Sequence, residues 1–375
     1  MGLPPAWSLL DPNTVTVGNA SVDDAWKVCV IDGVYFGGND YNGSLGARIS
    51  SIFVILFVST ACTLFPVIAS DVKGMRVPEY VYLFAKNFGT GVIVTTAFVH
   101  LMDPAYGEIG PNTCVGMSGN WAEYSWVPAI ILVTVFIIFL VDLISDVYVE
   151  RRYGISHNHD DDLVHSAIVQ PAQPSSQVDL HSDIEAHHNH GHTEKEADLY
   201  SYPASKASSL AEKDFQTQIA AFLILEFGVI FHSVMIGINL GATGDEFKTL
   251  YIVLIFHQSF EGLGIGARLS AIQGFPKKWW KYALCLAYGL TTPVCVAIGL
   301  GVRTAYDGNS YNANIIQGVL DSISAGILIY TGLVELLARD YIFNENRTKD
   351  LKKLTFSIIF ILMGAGLMAL LGKWA

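Results

Sequence analysis

The sequence predicts an all-α polytopic membrane protein with eight transmembrane helices, and three observations carry that reading. Apolar residues make up 51% of the chain and charged residues only 15%. With a mean hydropathy of +0.40, the chain is oilier than a water-soluble protein of this size. The apolar residues gather into runs of bilayer-spanning length; roughly 20 helical residues cross the hydrocarbon core, where backbone N–H and C=O groups must be paired internally. Between the runs, Lys and Arg fall mostly on one side, as in cytoplasmic loops.

Taken in order, residues 1–48 form an outer N-terminal segment. It lacks the basic-then-apolar layout of a cleaved leader, so the first run is expected to act as an uncleaved anchor that translocates this tail. Runs at 49–69, 79–102 and 126–148 make the first three spans, a unit over 49–148. Residues 149–215 are the one long polar stretch, rich in Ser, Asp, Glu and His, and predict a mostly disordered loop. Runs at 216–241 and 250–270 form a central unit over 216–270, and runs at 281–302, 313–337 and 354–372 complete a final unit over 271–375.

Orientation follows from the basic residues. Lys73 and Arg76 follow span one, Arg151 and Arg152 follow span three, Lys277, Lys278 and Lys281 precede span six, and Arg347, Lys349, Lys352 and Lys353 separate spans seven and eight. The opposite side has scattered cases such as Lys27, Arg48, Lys248, Arg303 and Lys373. Both termini are therefore expected outside the cell and the 149–215 loop in the cytosol. Asn19 and Asn42 head outer Asn-x-Ser sequons and are candidate N-glycosylation sites. Cys29 and Cys114 both fall in outer segments, where the oxidising milieu permits a disulfide between them; Cys62, Cys285 and Cys295 lie within spans as packing residues. The net charge of −12 argues against a nucleic-acid partner. Outer acids such as Asp23, Asp24, Asp32, Asp103, Glu108 and Glu123 would instead attract cations.

Ionisable groups deep in a span are costly unless paired, solvated or metal-bound, which makes each a candidate functional residue. The densest set lies in spans four and five: Glu226, His232 and Ser233, then His257, Gln258 and Glu261. His257 and Glu261 are four apart and share a helical face. A short outer turn makes the two spans antiparallel neighbours, which can bring His232 level with His257. Two neutral imidazoles and a carboxylate suit zinc(II), and the carboxylate also offsets the ion's charge. Glu226, seven residues before Ser233 and on its face, is a candidate next stop along an inward path. Mixed ligands without a thiolate suit a site that must release its ion as well as bind it. Gly228, Gly237, Gly262, Gly264 and Gly266 allow close packing of these helices.

Weaker pathway candidates are His100 and Asp103 near the outer end of span two, Asp142 in span three and Asp321 in span seven; Asp146 and Glu335 belong to the same class. Lys86 is expected to pair internally or to snorkel inward. Eight of the eleven histidines lie in the 149–215 loop. There His187, His188, His190 and His192 are dense enough to chelate a borderline metal for sensing or buffering.

His232-Ser-Val-Met-Ile-Gly237 followed by His257-Gln-Ser-Phe-Glu-Gly262 resembles the ZIP family of metal transporters, and the likeness runs from about residue 48 onward. Tyr35-Phe-Gly-Gly-Asn-Asp-Tyr-Asn-Gly43 and Leu290-Thr-Thr-Pro293 look most like the fungal zinc-regulated plasma-membrane members. The resemblance implies a 3+2+3 bundle with spans four and five holding the transport site, flanked by three-helix halves related as inverted repeats. It assigns metal ligation to His232, His257 and Glu261, with Glu226 and Ser233 nearby. Some members carry Glu one turn after the span-four histidine, supporting a two-metal centre; here that position is Ile236.

The expectation is therefore zinc import from outside the cell, with zinc as transported substrate and no organic cofactor. The expected partners are divalent metal ions, the lipid bilayer, a second copy of the chain and cytosolic regulators at the 149–215 loop. Iron, manganese and cadmium are alternative cargoes. A membrane metal sensor and an intramembrane zinc hydrolase are the rival classes; the hydrolase would want a water-activating base at a chelating site, such as His-Glu-x-x-His, which the sequence lacks.

Overall fold

The computed structural model describes residues 23–34, 41–72, 78–153, 204–305, 307–344 and 348–373. Asn19 and the loop histidines between His157 and His192 lie outside the described residues. All regular structure among the described residues is helical. A short helix α1 (Asp24–Ile31) precedes the long α2 (Leu45–Asp71). Next comes a continuous helical rod made of α3 (Glu79–Thr95), a first π segment (Thr96–Met102) and α4 (Asp103–Ile109). Then follow α5 (Trp126–Tyr153), α6 (Ala204–Ala242), α7 (Phe247–Ala271), α8 (Trp279–Val302), α9 (Tyr311–Tyr330) with a second π segment (Thr331–Phe343), and α10 (Leu351–Leu371).

Seven helices among the described residues are long and apolar enough to cross a bilayer, beginning at Leu45, Trp126, Phe215, Phe247, Trp279, Tyr311 and Leu351. The eighth expected span, 79–102, is helical throughout, but its hydrogen bonding changes from α to π at Thr96. It also buries Asn87, Thr90, Thr95, Thr96 and His100. A segment that faces other helices through polar groups reads as less apolar than one that faces lipid. At the opposite extreme, most of the α5 and α10 surface is exposed and apolar, with Phe136, Ile144, Leu362 and Leu370 pointing away from the bundle. Helix α6 starts at Ala204, well before the expected 216. Its first turns read Ala-Ser-Lys-Ala-Ser-Ser-Leu-Ala-Glu-Lys, in which seven good helix formers outweigh three serines and let the rod run on beyond the apolar stretch.

Two sets of helices pack most extensively. In the first, α2 lies along α7 and α8, and α6 along α8; in the second, α3 lies along α10, and α9 along α4 and α5. The sets meet along two seams, α3 on α7 and α6 on α9. Glycine makes the first seam: a Cβ placed on Gly89 would sit 2.1 Å from the Gly264 Cα, so the two backbones touch. Gly266 likewise presses on the backbone of Thr63 in α2. Without a hydrophobic drive between helices in lipid, such contacts supply much of the packing energy.

Arg48, fully buried, fixes the turn between α6 and α7. Its guanidinium donates to the carbonyl oxygens of Leu240 and Gly241 at 3.2 Å each, and also to that of Thr243. It therefore caps the last orphan carbonyls of α6 at the negative end of the helix dipole. Asn42 is part of the same knot: its amide donates to Asp245 at 2.6 Å and its carbonyl accepts from Arg48 at 3.2 Å. Cys29 and Cys114 form a disulfide, with Cα atoms 4.5 Å apart. It staples α1 to the loop between α4 and α5. Cys62, Cys285 and Cys295 are free thiols.

Candidate metal site

Helix α6 ends at Ala242 and α7 begins at Phe247, leaving only residues 243–246 to reverse the chain. His232 lies ten residues before that turn (242 − 232) and His257 ten residues after it (257 − 247). Equal distances along two antiparallel helices put the two imidazoles at one depth. Their Nε2 atoms are 3.0 Å apart. Glu261, one helical turn beyond His257, returns Oε1 to within 3.2 Å of the same His257 Nε2.

Among the described residues, His232, His257 and Glu261 are the group whose ligand atoms converge, all within 4.8 Å of one another. Zinc bonds of about 2.0–2.2 Å in a tetrahedron separate neighbouring ligand atoms by roughly 3.3 Å. The contacts of 3.0 and 3.2 Å are therefore close to the edges of a zinc polyhedron. All three side chains are buried, His257 completely. A carboxylate at such a site wants a partner, and the second Glu261 oxygen and the His257 Nδ1 have no hydrogen-bond partner among the described residues. The cluster is chemically unsaturated, as a site that admits an ion should be.

The surrounding shell comes from the first π segment and its neighbours. Thr96 donates its hydroxyl to Glu261 Oε1 at 3.1 Å. His100, one step further on that segment, packs its ring edge-on to His257 with centroids 4.9 Å apart and sets its Nε2 3.1 Å from the Met368 carbonyl oxygen. Gln258 faces the other way and donates to Thr292 at 2.8 Å, next to Pro293 in α8. Ser233 Oγ and Glu226 Oε2 are buried without a hydrogen-bond partner among the described residues, and neither belongs to the converging triad.

The other candidates lie elsewhere. Asp103 is exposed on α4. Asp142 accepts from the Tyr330 hydroxyl at 2.8 Å, and Asp321 is buried within α9. None of the three is in the triad. Lys86 pairs with Asp340 at 2.9 Å, and Glu335 pairs with Arg339 one turn on. Thr96 is the site neighbour that sequence reasoning passed over. Its only signal is the four-residue spacing to His100, and threonine is too common in spans for that to stand out.

The chain is 62% identical to Zinc-regulated transporter 1 of Saccharomyces cerevisiae over 99% of its own length and 98% of the relative's. It is 38% identical to Zinc-regulated transporter 1 of Schizosaccharomyces pombe, covering 90% of this chain and 88% of that one. Similarity reaches plants, with 33% identity to Zinc transporter 3 of Arabidopsis thaliana over 90% of this chain and 88% of the relative. The family model described as ZIP Zinc transporter matches residues 45–372, every spanning helix included, and the chain therefore belongs to the ZIP family.

Proposed function

We propose that this chain is a multi-pass plasma-membrane importer of zinc(II), which loads the ion from outside at His232, His257 and Glu261 and releases it to the cytosol. One observation carries the reading: two imidazoles and a carboxylate, buried at the middle of two membrane helices, converge at zinc-ligand spacing. The zinc-regulated relatives supply the identity of the cargo. The protein is a transporter and not an enzyme. Zinc is its substrate, and no organic cofactor is part of the mechanism.

The helical rod from Glu79 to Ile109 is the eighth span, giving both termini an outer position and leaving 149–215 as a cytosolic loop. Entering zinc sheds water as the imidazole nitrogens and Glu261 replace it, and the carboxylate cancels half of the ion's charge in a medium that solvates ions poorly. Thr96 orients that carboxylate. Glu226 and Ser233, with free polar atoms, form the next stop inward. The gradient and the membrane potential drive net movement; the potential is worth about 2.3 kcal/mol per charge per 100 mV.

Labelled zinc and liposomes containing the purified chain test the proposal, with iron(II), manganese(II) and cadmium as competitors. Saturable zinc uptake that the other ions inhibit weakly is the expected result. Stoichiometric zinc binding with no flux would instead mark a sensor.

A further inference from the structure

Arg268 sits seven residues past Glu261 on α7, on the same face and roughly 10 Å further along the axis, away from the outer turn. It lies at the end of the helix that leads to Lys277, Lys278 and Lys281, the end carrying the cytosolic basic signal. Its guanidinium donates to Thr90 Oγ1 of α3 at 3.3 Å and lies 3.6 Å from Asp340 Oδ2 on the second π segment. Lys86 of α3 holds the same Asp340 oxygen at 2.9 Å. Asp340 and Lys86 are built into the second helix set, where Asn87 beside Lys86 donates to Ser357 of α10 at 2.9 Å and accepts from Tyr341 beside Asp340. Arg268 belongs to the first set. The Arg268–Asp340 pair therefore crosses the α3–α7 seam, where Gly89 and Gly264 bring the backbones into contact.

The position matters because of what lies on either side. Above Arg268 is the triad; below it is the end of the bundle. The side chains of Arg268 and Asp340 are only 17% and 23% exposed, so they interact through a medium that screens weakly. Arg268 and Lys86 against Asp340, with Glu335 and Arg339 cancelling each other, leave a net positive cluster. A dication leaving Glu261 toward this end meets a guanidinium that cannot lose its proton.

We propose that Arg268, held by Asp340 and Thr90 across the seam, is the inner gate of the pathway: paired, it bars the cation, and it clears the route when the two helix sets part. The proposal rests on the transport reading for the identity of the ion, but the gate itself is a contact between helix sets that can be tested without zinc.

A reporter thiol at Ile265, buried between Glu261 and Arg268, provides the readout in the full-length chain with Cys62, Cys285 and Cys295 changed to alanine. A charged, membrane-impermeant maleimide is applied to the end of the reconstituted protein that carries the Lys277–Lys281 loop. Arg268→Gln and Asp340→Asn should each raise the labelling rate about fivefold or more, the size of a modest coupling between two states. The exchanged pair, Arg268→Asp with Asp340→Arg, should return it toward the parent rate. The exchange keeps the local charge sum, so recovery separates a specific pair from general loosening, and it stands even if one single variant folds poorly. Unchanged labelling in the single variants, or no recovery in the exchanged one, overturns the gate. Zinc flux is measured in the same vesicles: flux with an unresponsive reporter removes the gate alone, whereas a responsive reporter without flux removes the transport reading alone.

Discussion

Glu261 meets two neighbours, His257 on its own helix and Thr96 across the seam, and is proposed to bind the ion as well. Thr96 fixes the rotamer of that carboxylate from outside the ligand set, and outer-shell partners of this kind typically change metal affinity by about 10–100-fold when removed. Thr96→Val should therefore weaken zinc affinity by about tenfold with the fold intact, while Thr96→Ser, which keeps the hydroxyl, should stay close to the parent. Equilibrium zinc binding to the purified variants checks this; equal affinity for Val and Ser would remove the role of the hydroxyl. At this scale the sequence was most readable where chemistry is least compatible with lipid. His232, His257 and Glu261 stand out because an ionisable group in an apolar run has few innocent explanations. Thr96 does not, because a hydroxyl can satisfy itself on its own helix, and Thr96 also donates to the Val92 carbonyl. Asn42 shows the converse: its sequon is visible, but its amide is already committed to Asp245.

The helices were legible as elements, while the seams between them were not. Hydrophobic length gives the spans, because lipid imposes it, but it cannot foresee the change to π hydrogen bonding at Thr96 or Thr331, which depends on what packs alongside. Such π segments recur at functional sites, and here one presents Thr96 and His100 and the other Glu335 and Asp340. The glycines were visible as small residues without their partners. Since a Cβ on Gly89 would meet the Gly264 backbone at 2.1 Å, Gly89→Val must force α3 from α7. A loss of about 1–3 kcal/mol of stability is expected, read as a lower unfolding midpoint in detergent; Gly366→Val, at a position in α10 where nothing lies within 4 Å, controls for the loss of a helical glycine. The disulfide between Cys29 and Cys114 acts on a different element, stapling α1 outside the bundle. Reduction should cost about 2–4 kcal/mol and leave zinc flux by the folded protein in place; loss of flux in folded, reduced protein would make the outer staple part of the pathway.

Across the whole molecule, the order of the helices along the chain does not reveal which of them lie together. Helix α2 packs on α7 and α8, and α3 on α10, pairings between distant parts of the chain that no local pattern encodes. The proposed orientation, with the histidine loop in the cytosol, rests by contrast on the basic residues. Removing 181–192 should leave most of the zinc flux intact while changing the response to excess metal, because the proposed transport ligands all lie in α6 and α7. A complete loss of flux in correctly targeted protein would place those histidines on the obligatory path. The most direct test of the account is Glu261→Ala, reconstituted beside the parent chain, with labelled-zinc uptake and zinc bound per protein measured on the same preparation. The account predicts that saturable uptake disappears and tightly bound zinc falls, with the helical content unchanged; uptake at the parent rate would show that zinc crosses this membrane protein by some other route.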